Sequence, residues 1–245
     1  MATIKFLYKI LTWPIWPPGQ APVKLRGEFV LSHEPPTDTL LNGLVAAYKQ
    51  VFKETEYWAE DWPTEVILAK LQREVVPPRS FLTLMAGNNE WPVAGFAWGA
   101  KVGRKDLPNR IAPTLGKTEE ELDDLVTVLA RRGVKNLIYA DEFGVMRKFQ
   151  GGLEPVRGLL RPWLEWAWHA YRVHACMFWT TPSSPIYSLA CKMGFRSVYS
   201  TEVERKEIVF LLNPDFRFLL KVVQNMGDRE IARFLMAAER RKKPK

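Results

Sequence analysis

The sequence predicts an α/β protein, in which a central sheet is flanked by helices. Short runs rich in β-branched and aromatic residues alternate with longer segments whose apolar residues recur at helical spacing. Hydrophobic residues make up 47% of the 245 residues and charged residues 25%, which is ordinary for a globular protein with a sizeable core. This length fits one large domain, or one domain with a small appendage.

The first half of the chain is predicted to contain a strand, two helices and a pair of strands. In order, these are a strand over 23–31, helices over 38–52 and 64–75, and strands over 80–86 and 93–102. Thr64 is the predicted cap of the second helix, and residues 87–90 form the predicted hairpin turn. Residues 1–22 are apolar but interrupted by lysines and prolines, so we expect neither a signal peptide nor a membrane span there. We expect an edge strand or a strap there, with a membrane-surface or homodimer contact as the alternative.

The second half is predicted to hold a helical insertion, the rest of the sheet and a helical appendage. The insertion covers about 103–135, and the sequence from Thr118 to Glu121 is typical of a helix capping box. The elements after it are strands over 137–145 and 175–180, helices over 156–171 and 186–193, and strands over 195–200 and 206–212. Gly194 is expected to end its helix. Residues 213–245 form the predicted C-terminal helix and basic tail.

Charge and cysteine content restrict the classes of function. The formal net charge is +8, but five basic residues crowd the last six positions, where a solvated end is the usual role. Nucleic-acid binding is therefore not predicted. The two cysteines, Cys176 and Cys191, form neither a disulfide framework nor a metal-ligand spacing. We therefore expect a cytoplasmic protein without a metal ion.

Residues 136–158 carry the clearest chemical signal in the chain. An apolar run is followed by the two acids Asp141 and Glu142 and then by three more apolar residues. A basic turn and the glycines Gly151 and Gly152 come next. A helix with regular apolar spacing comes next. This order aims the free N–H groups and the positive dipole end of a helix beyond the end of a strand, which suits a phosphate group. An ordinary strand-to-helix connection is the alternative.

Two motifs within this element order resemble the GNAT superfamily of acetyl-CoA-dependent N-acetyltransferases. After Val145, an aromatic residue at Phe149 and Gln150 match the turn and the Arg/Gln position that precede the family's glycine-bearing loop. Residues 190–195 match the family's Tyr-x-x-x-Gly-Phe ending, with Ala190 at the tyrosine position. The resemblance covers about 23–212. It implies a mixed, mostly antiparallel sheet.

The resemblance also implies which residues bind acetyl-CoA as the cosubstrate. The pantetheine arm would lie along Phe143, Gly144 and Val145. The pyrophosphate would lie against the loop and helix start formed by Gln150, Gly151, Gly152, Leu153, Glu154 and Pro155, and Ser183 is a further predicted contact. Leu153 and Pro155 replace two family glycines, and Pro155 has no N–H group to donate.

Acetyl transfer to an amine requires a base, for which Asp141 and Glu142 are the candidates. Charged residues in an otherwise apolar strand are costly to bury unless they are paired or functional. Their side chains leave opposite faces of the sheet, so at most one acts directly. Tyr187 lies one helical turn before Ala190 and is the candidate general acid. The alternatives are two solvated acids at a strand end and a core tyrosine.

The predicted acceptor site is an acidic and aromatic loop between the first two helices. Glu56, Tyr57, Trp58 and Glu60 combine carboxylates with aromatic faces, which suit a cationic amine through charge and cation–π contact. A surface charge run with buried aromatic anchors is the alternative. The predicted function is therefore N-acetylation of an amine-bearing small molecule or peptide. The alternative is a catalytically silent domain that binds an acyl-CoA or a partner.

Overall fold

The computed structural model describes residues 7–9, 28–32, 36, 38–54, 62–150 and 152–227. Its helices are α1 (Asp38–Glu54), α2 (Thr64–Glu74), α3 (Leu107–Leu115), α4 (Asp123–Arg131), α5 (Glu154–Tyr171), α6 (Pro185–Lys192) and α7 (Phe216–Gln224). Its strands are β1 (Leu7–Lys9), β2 (Glu28–Ser32), β3 (Ser80–Ala86), β4 (Val93–Gly103), β5 (Asn136–Val145), β6 (Cys176–Thr180), β7 (Arg196–Val203) and β8 (Lys206–Asn213).

The strands form one mixed sheet of eight strands in the order β1-β2-β3-β4-β5-β6-β8-β7. Strand β5 pairs with β6 in parallel, through Ile138 opposite Cys176. The pairs β1–β2, β2–β3, β3–β4, β6–β8 and β7–β8 are antiparallel. The predicted mixed, mostly antiparallel sheet flanked by helices is therefore confirmed.

The chain divides into two compact units, of which the first comprises residues 1–100 and 141–166. Its core is aromatic and centred on Tyr48 of α1, whose ring stacks on Phe96 at 5.4 Å and on Trp98 at 5.7 Å between centroids. Helix α1 forms because its apolar residues recur at helical spacing, so one stripe of the helix is buried against β4. This packing holds α1, α2 and the end of β5 together.

The second unit comprises residues 101–140 and 167–245. Helix α6 begins at its cap Ser184, whose hydroxyl accepts from the N–H of Ile186. It ends where Gly194 adopts a left-handed φ of 93° and the N–H of Phe195 donates to the carbonyl of Ala190. The predicted helix end at Gly194 is confirmed. Helix α7 buries an apolar stripe that includes Leu219 and Val223.

The structure confirms the predicted capping box and edge strand and contradicts one predicted helix cap. The predicted capping box exists, because the Thr118 N–H donates to Glu121 Oε2 at 2.7 Å and the Glu121 N–H donates back to Thr118 Oγ1 at 3.4 Å. Leu7–Lys9 is the edge strand expected near the N-terminus. The predicted Thr64 cap is wrong: Pro63 is the N-cap and makes no side-chain cap bond. In the described part of the chain, no helix is both long and apolar enough to cross a bilayer.

Candidate functional site

Strand β5 carries the two acids that the sequence singled out. Its residues are buried from Leu137 to Tyr139, partly buried at Asp141 and Glu142, and buried again at Gly144 and Val145. Neighbouring side chains on a strand leave opposite faces of the sheet. Glu142 lies on the face that is covered by α1 and α2, where it enters a polar cluster inside the aromatic core.

The Glu142 carboxylate is held by a lysine and a tyrosine. Lys70 Nζ of α2 lies 3.0 Å from Glu142 Oε1, and the Tyr48 hydroxyl of α1 donates to the same oxygen at 3.3 Å. The Lys70 side chain is 5% exposed and the Glu142 side chain 12% exposed. Two ionisable groups are therefore withdrawn from water here, and Glu142 is the more accessible of the two.

A second carboxylate, Glu74, shares the same lysine. Its Oε1 lies 3.2 Å from Lys70 Nζ and accepts from Arg73 at 2.8 Å, while its Oε2 accepts from the indole N–H of Trp98 at 2.9 Å. The Glu74 side chain is 2% exposed. One ammonium group thus lies between two carboxylates, and the more deeply buried carboxylate receives the larger set of donors. We call Tyr48, Lys70, Glu74, Trp98 and Glu142 the carboxylate–lysine cluster.

The two carboxylates of this cluster differ in acidity. Burial raises the pKa of Glu142, and the neighbouring charge of Glu74 raises it further, against the opposing effect of Lys70. Burial alone would also raise the pKa of Glu74, but the Lys70 charge and the Trp98 and Arg73 hydrogen bonds lower it overall. The pKa of Lys70 is raised, because the two carboxylates outweigh its own burial. Glu74 therefore stays ionised, and Glu142 is the group that takes up a proton more readily.

Sequence reasoning missed Lys70 and Glu74, although α2 contained a signal for them. The buried positions of α2 are Ile67, Lys70, Leu71 and Glu74, which is the spacing of a single helical stripe. A lysine and a glutamate therefore occupy the stripe that faces the core. Charged residues on such a stripe indicate a buried ion pair and predict a partner of opposite charge on the sheet.

The loop after β5 has the geometry of a turn that leads into a helix. A short 3-10 turn over Arg147–Phe149 follows the strand, and Gln150 Nε2 donates back to the Val145 carbonyl at 2.7 Å. Gly152 has a left-handed φ of 64° and lies two residues before the start of α5 at Glu154. The predicted loop and helix order after β5 is therefore present.

Both side chains at the predicted glycine positions of this loop are buried. Leu153 and Pro155 are both buried, so their side chains pack into the core. Glu154 places a negative charge in the first turn of α5, and Arg157 pairs with it at 3.2 Å. The first helical turn keeps its free backbone N–H groups, apart from the one that Pro155 lacks.

The end of β5 lies tightly against its neighbours. A Cβ atom added at Gly144 would lie 2.7 Å from Phe96 Cζ and 2.9 Å from Val51 Cγ1, so this position has no room for a side chain. Phe143 is partly buried against the same core, and Val145 is buried. The three residues predicted to border the pantetheine arm therefore form a rigid strand end next to Glu142.

The remaining predicted site residues fall elsewhere. Tyr187 lies on α6 in the second unit and is partly buried, and Ala190 of the same helix is buried. Ser183 is exposed just before this helix, with its hydroxyl 3.3 Å from the hydroxyl of Thr181. Gly151 lies outside the described residues, and so do Glu56, Tyr57, Trp58 and Glu60. Within the part of the chain that is described, no group of three His, Cys, Asp or Glu side chains is placed to hold a metal ion.

Comparison with known proteins identifies the fold. No family model and no curated protein sequence matches the chain. Among solved structures, mosquito arylalkylamine N-acetyltransferase like 5b matches with a TM-score of 0.51 and 12% identity over 75% of this chain and 98% of that one. NAA60 from Arabidopsis thaliana matches with a TM-score of 0.49 and 13% identity over 76% of this chain and 98% of that one. The Drosophila melanogaster polyamine N-acetyltransferase matches with a TM-score of 0.49 and 10% identity over 75% of this chain and 98% of that one. The chain therefore has the GNAT fold that its motifs predicted.

Proposed function

We propose that this protein is an N-acetyltransferase that moves an acetyl group from acetyl-CoA to an amine. The observation that carries the proposal is the position of Glu142 in a GNAT fold. This partly accessible carboxylate has a raised pKa and lies on β5, just before the loop and helix start that suit a pyrophosphate. A base with a raised pKa is suited to accept a proton from an amine near neutral pH.

The chemistry requires one proton transfer before the acetyl group moves. An amine arrives at neutral pH mainly as an ammonium ion, and the Glu142 carboxylate takes its proton. The freed nitrogen lone pair attacks the thioester carbonyl carbon, a C–N bond forms and the C–S bond breaks, and the nitrogen releases its second proton to solvent to give the neutral amide. The sulfur leaves as a thiolate, which takes up a proton. Tyr187 is the proposed donor of that proton, and Asp141 is not required as a base.

The residues after β5 suit the cosubstrate through their backbone. The first turn of α5 offers N–H groups and a positive dipole end to a pyrophosphate. Gly152, with its left-handed φ, and Arg157, which pairs with Glu154, lie at this end of the helix. Phe143, Gly144 and Val145 would border the pantetheine arm, while Gln150, Gly151, Leu153, Glu154, Pro155 and Ser183 complete the proposed cosubstrate contacts.

The proposed acceptor is a primary amine on a small molecule or a peptide. The partly buried rings of Phe52 and Trp62 pack around Tyr48, which contacts Glu142 directly. Aromatic faces beside a carboxylate attract cations. Glu56, Tyr57, Trp58 and Glu60 follow α1 in the chain and are the proposed acceptor contacts. The free thiols of Cys176 and Cys191 suit a reducing cytoplasm, which is the proposed location.

Binding of acetyl-CoA and release of CoA test the proposal in sequence. Acetyl-CoA at about a hundred times its Kd should raise the free energy of unfolding by roughly 2.7 kcal/mol, visible as a thermal shift. CoA release is then measured, with hydrolysis subtracted, on arylalkylamines, polyamines, amino sugars and peptides with free N-termini. No thermal shift at millimolar acetyl-CoA would remove the proposal.

A catalytically silent acyl-CoA-binding domain is the second candidate. The observation that favours it is Ala190, a buried residue without a hydroxyl at the position where the family has a tyrosine. A thermal shift without CoA release above background on the whole panel would support the silent domain. CoA release on any acceptor would support the enzyme.

A further inference from the structure

The carboxylate–lysine cluster contains more charge than an ion pair needs. Lys70 would be neutralised by one carboxylate, yet its Nζ atom contacts Glu74 at 3.2 Å and Glu142 at 3.0 Å. With both acids ionised, the three groups carry a net negative charge inside an aromatic core. Arg73 offsets part of this charge at Glu74, but its side chain is 47% exposed, so the cluster takes up a proton more readily than a solvated glutamate does.

The hydrogen bonds decide which of the two carboxyl groups holds that proton. Glu74 receives an indole N–H from Trp98 and a guanidinium N–H from Arg73 in addition to Lys70. In the described part of the chain, Glu142 contacts Lys70 and accepts one further hydrogen bond, from the Tyr48 hydroxyl. Donors stabilise the ionised form, so Glu74 is the stronger acid and Glu142 is the carboxylate that accepts a proton more readily.

We propose that Lys70 and Glu74 are positioning residues for Glu142: Lys70 fixes its carboxylate on the α2 side of β5, and the Glu74 charge controls when Glu142 takes up a proton. This inference deepens the proposed function and rests on it for its catalytic meaning. The arrangement itself is a property of the folded first unit. It separates two chemically identical side chains into a permanent anion and a proton acceptor, which is the division of labour that general-base catalysis uses.

Ionisable groups approach Glu142 from three elements. Helix α1 contributes the Tyr48 hydroxyl, α2 contributes Lys70, Glu74 and the more exposed Arg73, and β5 contributes the adjacent Asp141, whose charge also acts on Lys70. Strand β4 contributes Trp98, which does not titrate. Lys70 and Glu74 act on Glu142 with opposite signs. Their removal should therefore shift the titration of Glu142 in opposite directions.

The test is a titration of Glu142 in the full-length chain, with and without each neighbour. The side-chain carboxyl carbons of glutamate are labelled with ¹³C, and Glu142 is assigned by its loss in Glu142→Gln. In Glu74→Gln, which keeps an oxygen that can accept from Trp98, we expect the Glu142 midpoint to move to lower pH. In Lys70→Met we expect it to move to higher pH. Glu121→Gln, in an exposed pair with Lys117, is the matched control and should leave the midpoint unchanged.

Opposite shifts support the inference whether or not an acceptor is found, because the titration does not depend on turnover. Failure of the proposed function would instead appear as absent acetyl-CoA binding with these shifts intact. A midpoint that does not move in Glu74→Gln, or that moves in the same direction in both variants, overturns the inference. If Lys70→Met does not fold, Lys70→Gln replaces it and Glu74→Gln remains decisive.

Discussion

Two lysine–glutamate pairs with the same four-residue spacing occupy very different surroundings. Lys70 and Glu74 are 3.2 Å apart with side chains 5% and 2% exposed, whereas Lys117 and Glu121 are 3.5 Å apart with side chains 16% and 51% exposed. The buried pair has taken on further partners, Glu142, Trp98 and Arg73. In the second pair, Glu121 belongs to a helix capping box and is half exposed, and Lys117 is partly buried.

The difference shows that burial, and not pairing, gives a charged residue its chemical effect. Water screens the exposed pair, so its charges have little influence on neighbours or on stability. In the core the same charges must be satisfied by protein groups, and each one changes the proton affinity of the others. The buried pair is therefore the one that acts on the proposed base, and the more exposed pair serves as its internal control.

Replacing the lysine should give the largest difference in stability between the two pairs. Lys70→Met leaves two buried carboxylates without their shared cation, which should lower the free energy of unfolding by about 3–5 kcal/mol. Lys117→Met should have no measurable effect. Urea unfolding at neutral pH measures both variants. Similar losses in the two variants would show that burial does not separate the pairs.

Removing the hydrogen bond from Trp98 to Glu74 should lower the free energy of unfolding by a smaller amount. Trp98→Phe removes the indole N–H that Glu74 accepts, whereas the indole N–H of the buried Trp163 has no hydrogen-bond partner in the described part of the chain. Trp163→Phe therefore loses a similar apolar area without leaving a buried acceptor unsatisfied. We expect Trp98→Phe to be less stable than Trp163→Phe by about 1–3 kcal/mol. Equal unfolding midpoints would indicate that the bond has no net effect.

The sequence predicted the fold more completely than the site. Periodicity located α1, α2 and β5, because burial of one stripe or one face repeats along these elements. Glu142 was found because an acid interrupts an apolar strand. Lys70 and Glu74 were not found, because contacts between α2 and β5 depend on how the helix packs on the sheet. Trp98 was not singled out for the same reason, since its hydrogen bond to Glu74 spans 24 residues of sequence.

The pH dependence of stability should also separate the two carboxylates. The raised pKa of Glu142 means that the folded chain retains a proton which the unfolded chain releases above its ordinary value of 4.5. Stability should therefore fall as the pH rises from 4.5 through the raised pKa. Glu74 has the opposite sign: its lowered pKa gives stability that is present above 4.5 and is lost as the pH falls below it.

Glu142→Gln isolates the Glu142 contribution because it cannot titrate. Relative to this variant, the parent protein should become progressively less stable as the pH rises above 4.5, until Glu142 is ionised in both states. Urea unfolding at a series of pH values gives the difference directly. A constant difference across the series would show that the folded and unfolded states bind the Glu142 proton equally.

The most direct test of the central claim is the rate of acetyl transfer in Glu142→Gln beside Asp141→Asn. The two substitutions are at adjacent positions on β5, keep side-chain size and remove basicity. We measure kcat/KM for CoA release as a function of pH, using the best acceptor from the panel. Glu142→Gln should lower kcat/KM about a hundredfold or more near neutral pH, with the loss easing as the amine itself deprotonates. Asp141→Asn should retain most of the rate. Full activity in Glu142→Gln, or a pH-independent loss shared by both variants, would contradict the assignment of Glu142 as the base.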